Sequence, residues 1–204
     1  MQGILFKPDM IQAIIEGRKT QTRRVIKLQS KNPYDVWYKN GIFTYRDKKN
    51  YEGGCYFSEW QHIKPRYHIG ETVYIKEAYW FYRRFGTMAN IKYMRDGFVT
   101  WVPIPRDKPT PKTGYHSPLM MPERVARHFI MIEQVRAERL EVITEEDAIA
   151  EGCTIMAGVT SGGSMGLASA RYAYKELWDS INAKYPWESN PWVFPYTFSL
   201  KEGK

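Results

Sequence analysis

The chain has few of the residues that build metal centres and disulfide scaffolds. Its 204 residues include two cysteines, Cys55 and Cys153, and four histidines. Two distant cysteines do not form a cysteine-rich metal cluster and do not require a disulfide. The histidines lack the spacing of a zinc finger or of a metal-binding helix. We therefore expect no resident metal and no cofactor.

Long apolar segments are also missing. No stretch approaches the roughly 20 apolar residues that a membrane-spanning helix needs. The N-terminus lacks the apolar core and the small-residue cleavage site of a signal peptide. Together with the low cysteine content, these absences predict a cytoplasmic protein that does not enter a membrane.

Positive charge and aromatic rings are abundant instead. Lys and Arg number 30 against 22 Asp and Glu, so the net charge is +8, and aromatic residues make up 15% of the chain. Cations attract phosphates, and aromatic rings stack on unpaired bases, so this combination is typical of proteins that bind single-stranded RNA. The same aromatic residues would also suit a β-rich core.

The basic segment 17–24 (GRKTQTRR) lies between two apolar segments. Before it, the pattern predicts an amphipathic helix that starts at Pro8 and stops at Gly17. After it, Val25 and Ile26 continue as a strand. The cations therefore belong either to a solvated basic surface or to a site fixed at a helix-to-strand junction.

Several further segments have clear patterns. Segment 28–68 predicts inserted β-hairpins, with turns at Asn40-Gly41 and Gly53-Gly54. Alternation predicts strands over 72–80, 128–136 and 192–200, of which the last contains Pro195, a residue typical of an edge or a bulge. Prolines predict that 82–118 is a surface loop with one short strand at 91–94.

Two acidic residues stand out against these patterns. Glu77 shares a predicted strand face with Val73 and Ile75, so it is either paired inside a cavity or turned to water at the strand end. Thr144 is predicted to cap the start of a helix that ends at Glu151. An anion at that end faces the negative end of the helix dipole, which is unfavourable unless a cation lies nearby. Near it, a Gly- and Ser-rich segment, 161–166, predicts a mobile loop or, alternatively, a phosphate cradle.

The spacing Gly17-x-Lys19-x-x-Thr22-x-Arg24 resembles the opening motif of the ASCH family, in the PUA-like superfamily. Five later segments resemble other landmarks of phage-type ASCH proteins, in family order: 70–79, 117–122 followed by Arg127, 143–152, 177–182 and 190–193. The resemblance implies one α+β domain over residues 1–204, a distorted mixed PUA-like β-barrel with helices at its mouth. Segments 28–68 and 82–118 would be insertions in it.

The same resemblance implies a function. Relatives include an amidohydrolase that deacetylates acetylated cytidine, in which a Lys, a Thr and a Glu are catalytic, and these match Lys19, Thr22 and Glu151. We expect RNA, or a nucleotide or nucleoside, to be bound in a basic cleft and a modified base or nucleoside to be hydrolysed. The residues expected to bind the substrate or RNA are Arg18, Arg23, Arg24, Lys76, Glu77, Tyr79 and Arg127.

Two alternatives stay open at this point. One is a ribonuclease that cleaves single-stranded RNA with a divalent metal held by Glu77 and Glu151. The other is a non-catalytic, regulatory RNA-binding module. The chain is roughly twice as long as the amidohydrolase branch, so its insertions leave the substrate undetermined.

Overall fold

The computed structural model describes residues 1–28, 33, 35–51, 54–154, 156–159 and 165–201. The fold is mixed α+β and mostly sheet, which confirms the predicted class. The α-helices of this part of the chain are α1 (Pro8–Ile15), α2 (Glu145–Ala150) and α3 (Ala170–Ile181). Its strands, in chain order, are β1 (Gly3–Leu5), β2 (Gln21–Val25), β3 (Asp35–Lys39), β4 (Ile42–Arg46), β5 (Lys48–Tyr51), β6 (Gly54–Phe57), β7 (Gln61–Ile63), β8 (Thr72–Lys76), β9 (Tyr79–Phe85), β10 (Met88–Tyr93), β11 (Val99–Pro103), β12 (Gly114–His116), β13 (Phe129–Val135), β14 (Glu138–Arg139), β15 (Met156–Val159), β16 (Met165–Ala168) and β17 (Trp192–Lys201).

These elements group into two compact units, each assembled from separate parts of the chain. The first unit contains residues 1–17 and 71–131 and the C-terminal residues from Ser199 onward. The second unit contains residues 18–70 and 132–198. The single-domain organisation stays a prediction.

The first unit is built on β8. This strand pairs in parallel with β1 on one side and antiparallel with the start of β13 on the other. Val73 and Ile75 of β8 are fully buried, and so is Glu77, which follows the strand on the same face. Of the two alternatives for Glu77, burial with a partner is therefore the observed one. Helix α1 begins at Pro8, as predicted, and Gly17 beyond its end has a φ of +74°.

The prediction of a surface loop over 82–118 is wrong. This segment contributes most of a four-stranded antiparallel sheet in the order β11-β10-β9-β12. Ala89, Ile91 and Tyr93 alternate toward a buried core, because successive side chains of a strand point to opposite faces. The prolines that suggested a loop begin at the end of β11, so they interrupt the segment after three of its strands have formed.

The second unit has β17 as its longest strand. Its residues 193–197 pair with β2, and residues 192–193 pair with β14. The backbone N–H of Arg136 also donates to the Pro195 carbonyl at 3.1 Å. Because β17 has strand partners on both sides, it is not the edge strand that Pro195 suggested. Helices α2 and α3 cover a core that includes Leu140, Ala148 and Trp178.

The predicted hairpin at Asn40-Gly41 is confirmed. Strands β3 and β4 pair in register on either side of it, and Asn40 and Gly41 have φ values of +53° and +74°. A two-residue hairpin turn of type I′ requires positive φ at both central residues, as observed here. Gly53 of the second predicted turn, and residues 161–164 of the Gly- and Ser-rich segment, lie outside the described residues.

No helix within the described ranges is long and apolar enough to cross a membrane.

Candidate functional site

The end of helix α2 is fastened to the segment that enters β2. Lys19 and Glu151 form an isolated antiparallel bridge, and the Thr20 N–H donates to the Ala150 carbonyl at 2.8 Å. The Thr20 carbonyl accepts from the Phe198 N–H at 2.8 Å, which also joins this segment to β17. The backbone therefore fixes where the Lys19 side chain begins.

Lys19 and Glu151 form a buried ion pair. The Lys19 Nζ donates to the Glu151 Oε2 at 2.7 Å and to the Glu151 backbone carbonyl at 2.7 Å. Lys19 is 2% exposed and Glu151 is 4% exposed. Carbonyls at a helix end lack intrahelical partners and carry partial negative charge, so a cation is favourable there. The ammonium thus explains how an anion is tolerated in the last turn of α2.

Arg23 extends this pair into a larger network. Its Nη1 donates to the Glu151 Oε1 at 3.2 Å, and its Nη2 donates to Glu138 at 2.9 Å and to Asp147 at 2.7 Å. Its guanidinium also lies 5.9 Å from the centre of the Tyr174 ring. Burial alone would lower the pKa of Arg23, but the surrounding carboxylates, Glu151 foremost, raise it above its ordinary value.

The network has balanced charge. Arg136 donates to Asp147 at 3.3 Å and lies 3.6 Å from Glu138. Three cations therefore meet three carboxylates: Lys19, Arg23 and Arg136 with Glu138, Asp147 and Glu151. Lys19, Arg23 and Glu151 are the buried members, and removing one of them leaves an uncompensated charge, which typically costs about 3–5 kcal/mol. The network thus has a structural role, whatever chemistry it also supports.

Thr22 and Arg24 lie on the opposite face of β2 from Arg23. Thr22 pairs in register with Tyr196 and Arg24 with Phe194, and paired residues share a face. Thr22 is buried and Arg24 is half-buried. Burial lowers the pKa of the Arg24 guanidinium, although nearby Tyr67 and Glu151 act in the opposite direction. Lys19 and Arg23 contact Glu151 directly, whereas Arg24 interacts with it electrostatically and Thr22 lies on the other face of β2.

Glu77, also predicted in the site, lies in the first unit and has its own partners. Arg127 donates to its two oxygens at 3.0 and 2.8 Å, and Arg95 donates at 3.1 Å. Burial alone would raise the pKa of the Glu77 carboxyl, but Arg127 and Arg95 outweigh it and hold that pKa below its usual range.

The remaining predicted binding residues are distributed over both units. In the first unit, the Lys76 Nζ donates to the Leu119 carbonyl at 3.1 Å, and the buried Tyr79 ring stacks on His116 at 4.9 Å. Arg127 lies 4.0 Å from the centre of the Tyr93 ring. In the second unit, Arg18 is exposed. Their roles in binding RNA stay predictions.

Sequence reasoning missed Glu138, Asp147 and Arg136 as members of the ionic network. Asp147 lies in the first turn of α2, where acidic residues are favourable in any helix, so its position gave no sign of a second role. Glu138 reaches Arg23 because β14 and β2 pair with the same strand, β17. Only the strand order reveals that proximity.

Metal and thiol chemistry have few candidate groups here. The described ranges contain no cluster of three or more His, Cys, Asp or Glu side chains placed to hold a metal ion. Cys153 is buried beside this network, and burial raises the pKa of its thiol to about 11. A thiol with that pKa is a poor nucleophile at neutral pH.

No family model, no curated protein and no solved structure matches this chain.

Proposed function

We propose that the chain is an ASCH-type hydrolase with a PUA-like barrel, which binds RNA or a nucleoside and removes an acyl group from a modified base. One observation carries this proposal. A buried Lys-Glu ion pair is formed by Lys19 and Glu151, the two positions to which the ASCH resemblance assigns catalytic roles. Thr22, the third such position, lies in the strand that follows Lys19.

A Lys-Glu pair shielded from water suits acid–base catalysis. In the proposed reaction, the Lys19 ammonium passes a proton to the Glu151 carboxylate, to which it is hydrogen-bonded at 2.7 Å. The resulting amine accepts a proton, and the resulting carboxylic acid donates one. Arg23 holds the Glu151 carboxyl in position during this exchange.

The reaction then proceeds in two halves. The Lys19 amine takes the hydroxyl proton of Thr22, whose oxygen attacks the acyl carbonyl carbon, and Arg24 stabilises the oxyanion. As the C–N bond breaks, the Glu151 acid protonates the departing amine. In the second half, the Glu151 carboxylate takes a proton from a water molecule that attacks the acyl-Thr22 ester. The Lys19 ammonium returns its proton to the Thr22 oxygen as the ester C–O bond breaks, which restores the amine and the carboxylic acid. Thr22 lies on the face of β2 opposite Arg23, so this sequence requires the Thr22 hydroxyl to come within hydrogen-bond distance of the Lys19 amine when substrate binds.

Deacetylation of N4-acetylcytidine, followed by chromatography, tests the proposal. We expect the wild type to release cytidine and Thr22→Ala to be slower by at least about 100-fold, whereas Thr22→Ser retains turnover because it keeps a hydroxyl. Thr20→Ala is the matched control, since Thr20 is exposed and only its backbone is bonded to α2 and β17. No turnover of any acylated nucleoside by the wild type, or equal turnover by Thr22→Ala and Thr20→Ala, would contradict it.

The charge balance of the network favours a second candidate, a non-catalytic RNA-binding module. Lys19 and Glu151 compensate each other within a set of three cations and three carboxylates, as a structural network requires. This candidate predicts salt-sensitive RNA binding without turnover, with log K falling by about 0.7 per log unit of salt for each phosphate contacted. If the wild type instead cleaves the RNA and EDTA abolishes the cleavage, this result would support a metal-dependent ribonuclease.

A further inference from the structure

The three-stranded sheet β3-β4-β7 has two faces of different character. On the inner face, Phe43 and Tyr45 are almost completely buried, and Phe43 contacts the Trp192 ring at 5.3 Å. The residues between them in sequence point outward, because side chains alternate along a strand. This outer face includes Trp37, Thr44 and His62, which pair across the three strands, together with Lys39, paired with Ile42, and Arg46, paired with Asp35.

Two tryptophans stand open at this outer face. Trp37 is 63% exposed and Trp60 is 38% exposed, and their rings meet edge to face at 6.0 Å. Together with Lys39, Thr44 and His62 they line a pocket of about 300 Å³. Large aromatic rings grouped at a surface are characteristic of binding sites, since their burial is otherwise favourable.

Cations and polar groups surround these rings. The Arg46 guanidinium lies 4.6 Å from the centre of the Trp60 ring and 4.2 Å from that of Phe57. Lys39 is exposed at the rim of the pocket. Thr44 and His62 are joined by a hydrogen bond of 3.1 Å, which fixes the polar wall of the pocket.

We infer that this surface, the Trp37–Trp60 platform formed by Trp37, Trp60, Lys39, Arg46, Thr44 and His62, binds single-stranded RNA. One base stacks on the Trp37 ring with the edge of Trp60 against it, and Lys39 and Arg46 pair with the adjoining phosphates. The inference rests on the proposed function in its choice of RNA as the polymer.

Charge complementarity selects this occupant over two others. A neutral sugar or a proline-rich peptide would use the exposed rings but would gain little from Lys39 and Arg46. The chain as a whole has a net charge of +8, which favours a polyanion. The hydroxyl of Thr44 and the ring of His62 can hydrogen-bond a ribose 2′-hydroxyl, which DNA lacks.

Fluorescence anisotropy with a labelled 12-nucleotide single-stranded RNA of mixed sequence tests the platform. We expect Trp37→Ala to weaken binding roughly tenfold or more, and Trp37→Phe to weaken it less because a ring remains. Lys39→Ala should make log K less steeply dependent on salt, by about 0.7. Tyr172→Ala is the control, because Tyr172 is an exposed aromatic residue on helix α3.

Three results would overturn the inference. They are equal affinity of Trp37→Ala and Tyr172→Ala for the RNA, equal wild-type affinity for RNA and for DNA of the same sequence, and wild-type binding of a proline-rich peptide or an oligosaccharide in place of RNA. None of these depends on hydrolysis. A wild type that binds RNA through Trp37 but does not deacetylate acetylcytidine would contradict the proposed reaction and leave the platform standing.

Discussion

Two buried carboxylates, one in each unit, are held by different kinds of cation. Glu77 is 1% exposed and accepts three hydrogen bonds, all from the guanidinium groups of Arg127 and Arg95. Glu151 is 4% exposed and accepts from the Lys19 ammonium and from the Arg23 guanidinium. Both carboxylates are compensated, but only Glu151 of the two has an ammonium among these partners.

The two kinds of cation differ in how readily they release a proton. A guanidinium keeps its proton at any physiological pH and holds a carboxylate with a rigid pair of N–H groups. An ammonium can release a proton when it is buried, which is why catalytic bases include lysine. The hydrogen bonds to Glu77 are therefore those of a fixed charge, although the His128 ring also lies 3.8 Å away, whereas Glu151 has the kind of partner that the proposed reaction requires.

The largest expected effect comes from exchanging the Lys19 ammonium for a guanidinium. Lys19→Arg keeps a positive charge beside Glu151 but removes the group that gives and takes a proton. We expect acetylcytidine hydrolysis to fall by about 10²–10⁴-fold, while the free energy of unfolding changes by no more than about 1–3 kcal/mol from the added volume. Steady-state kinetics and urea unfolding of the same preparation measure both.

The control for this exchange is Lys27→Arg, because Lys27 is exposed just beyond β2. It should change neither quantity measurably. If Lys19→Arg hydrolyses acetylcytidine at the wild-type rate, Lys19 is not the base.

Removal of the Glu77 charge tests whether this carboxylate stabilises the first unit. Glu77→Gln leaves Asp96 as the carboxylate that Arg127 and Arg95 share. We expect the free energy of unfolding to fall by about 1–3 kcal/mol, less than the roughly 3–5 kcal/mol of a fully uncompensated buried charge. Glu133→Gln is the matched control, since Glu133 is exposed on β13, and a loss no larger than in this control would show that Glu77 is not structural.

Acid should reduce the contribution of Glu77 to the free energy of unfolding. The folded-state pKa of Glu77 lies below its unfolded value of about 4.3. A carboxyl with a lowered pKa stabilises the fold above its unfolded pKa, and this stabilisation is lost as pH falls through the folded pKa. The difference in unfolding free energy between wild type and Glu77→Gln should therefore shrink as the pH is lowered from 7 through 4 toward 2.

Chemical denaturation at each pH measures this difference. Asp96 shares Arg127 and Arg95 with Glu77, and its pKa is also lowered, chiefly by the hydrogen bond from Arg127 against the opposing effect of burial. The same measurement on Asp96→Asn therefore separates the contributions of the two carboxyls. A difference that stays constant or grows in acid would contradict the assigned role.

The smallest expected effect concerns the helix that carries Glu151. The Thr144 hydroxyl caps α2 by accepting from the Asp147 N–H at 3.1 Å. Thr144→Ala should cost about 1 kcal/mol of unfolding free energy, as the loss of an N-cap usually does. Thermal unfolding beside Thr20→Ala, an exposed threonine outside the helix, provides the measurement and its control. No decrease in melting temperature relative to that control would argue against the cap.

Features encoded by neighbouring residues could be predicted from the sequence. The hairpin turn at Asn40-Gly41, the start of α1 at Pro8 and the cap of α2 at Thr144 each depend on a few adjacent positions. The burial of Glu77 was one of two alternatives, because alternation gives the face of a strand but does not say what covers it. A partner such as Arg95 had to be seen in the structure.

Features that depend on the arrangement of distant strands could not be predicted. The sheet formed by β9, β10, β11 and β12 was hidden by the prolines within the segment, although the alternation of Ala89, Ile91 and Tyr93 was present in it. Glu138 and Arg136 join Arg23 through strand order, which no local pattern encodes. The outward face of Trp37 likewise becomes evident only when β3, β4 and β7 are paired.

The pairing of β2 with β17 has a consequence for how the protein forms during translation. Residues near position 20 leave the ribosome long before their partners near position 195 have been synthesised. Contacts between such distant positions close large loops, and closing large loops slows folding. The carboxylates Glu138, Asp147 and Glu151 follow the basic segment 17–24 by more than a hundred residues. A nascent chain therefore contains Lys19 and Arg23 for some time before the carboxylates that compensate them have been synthesised.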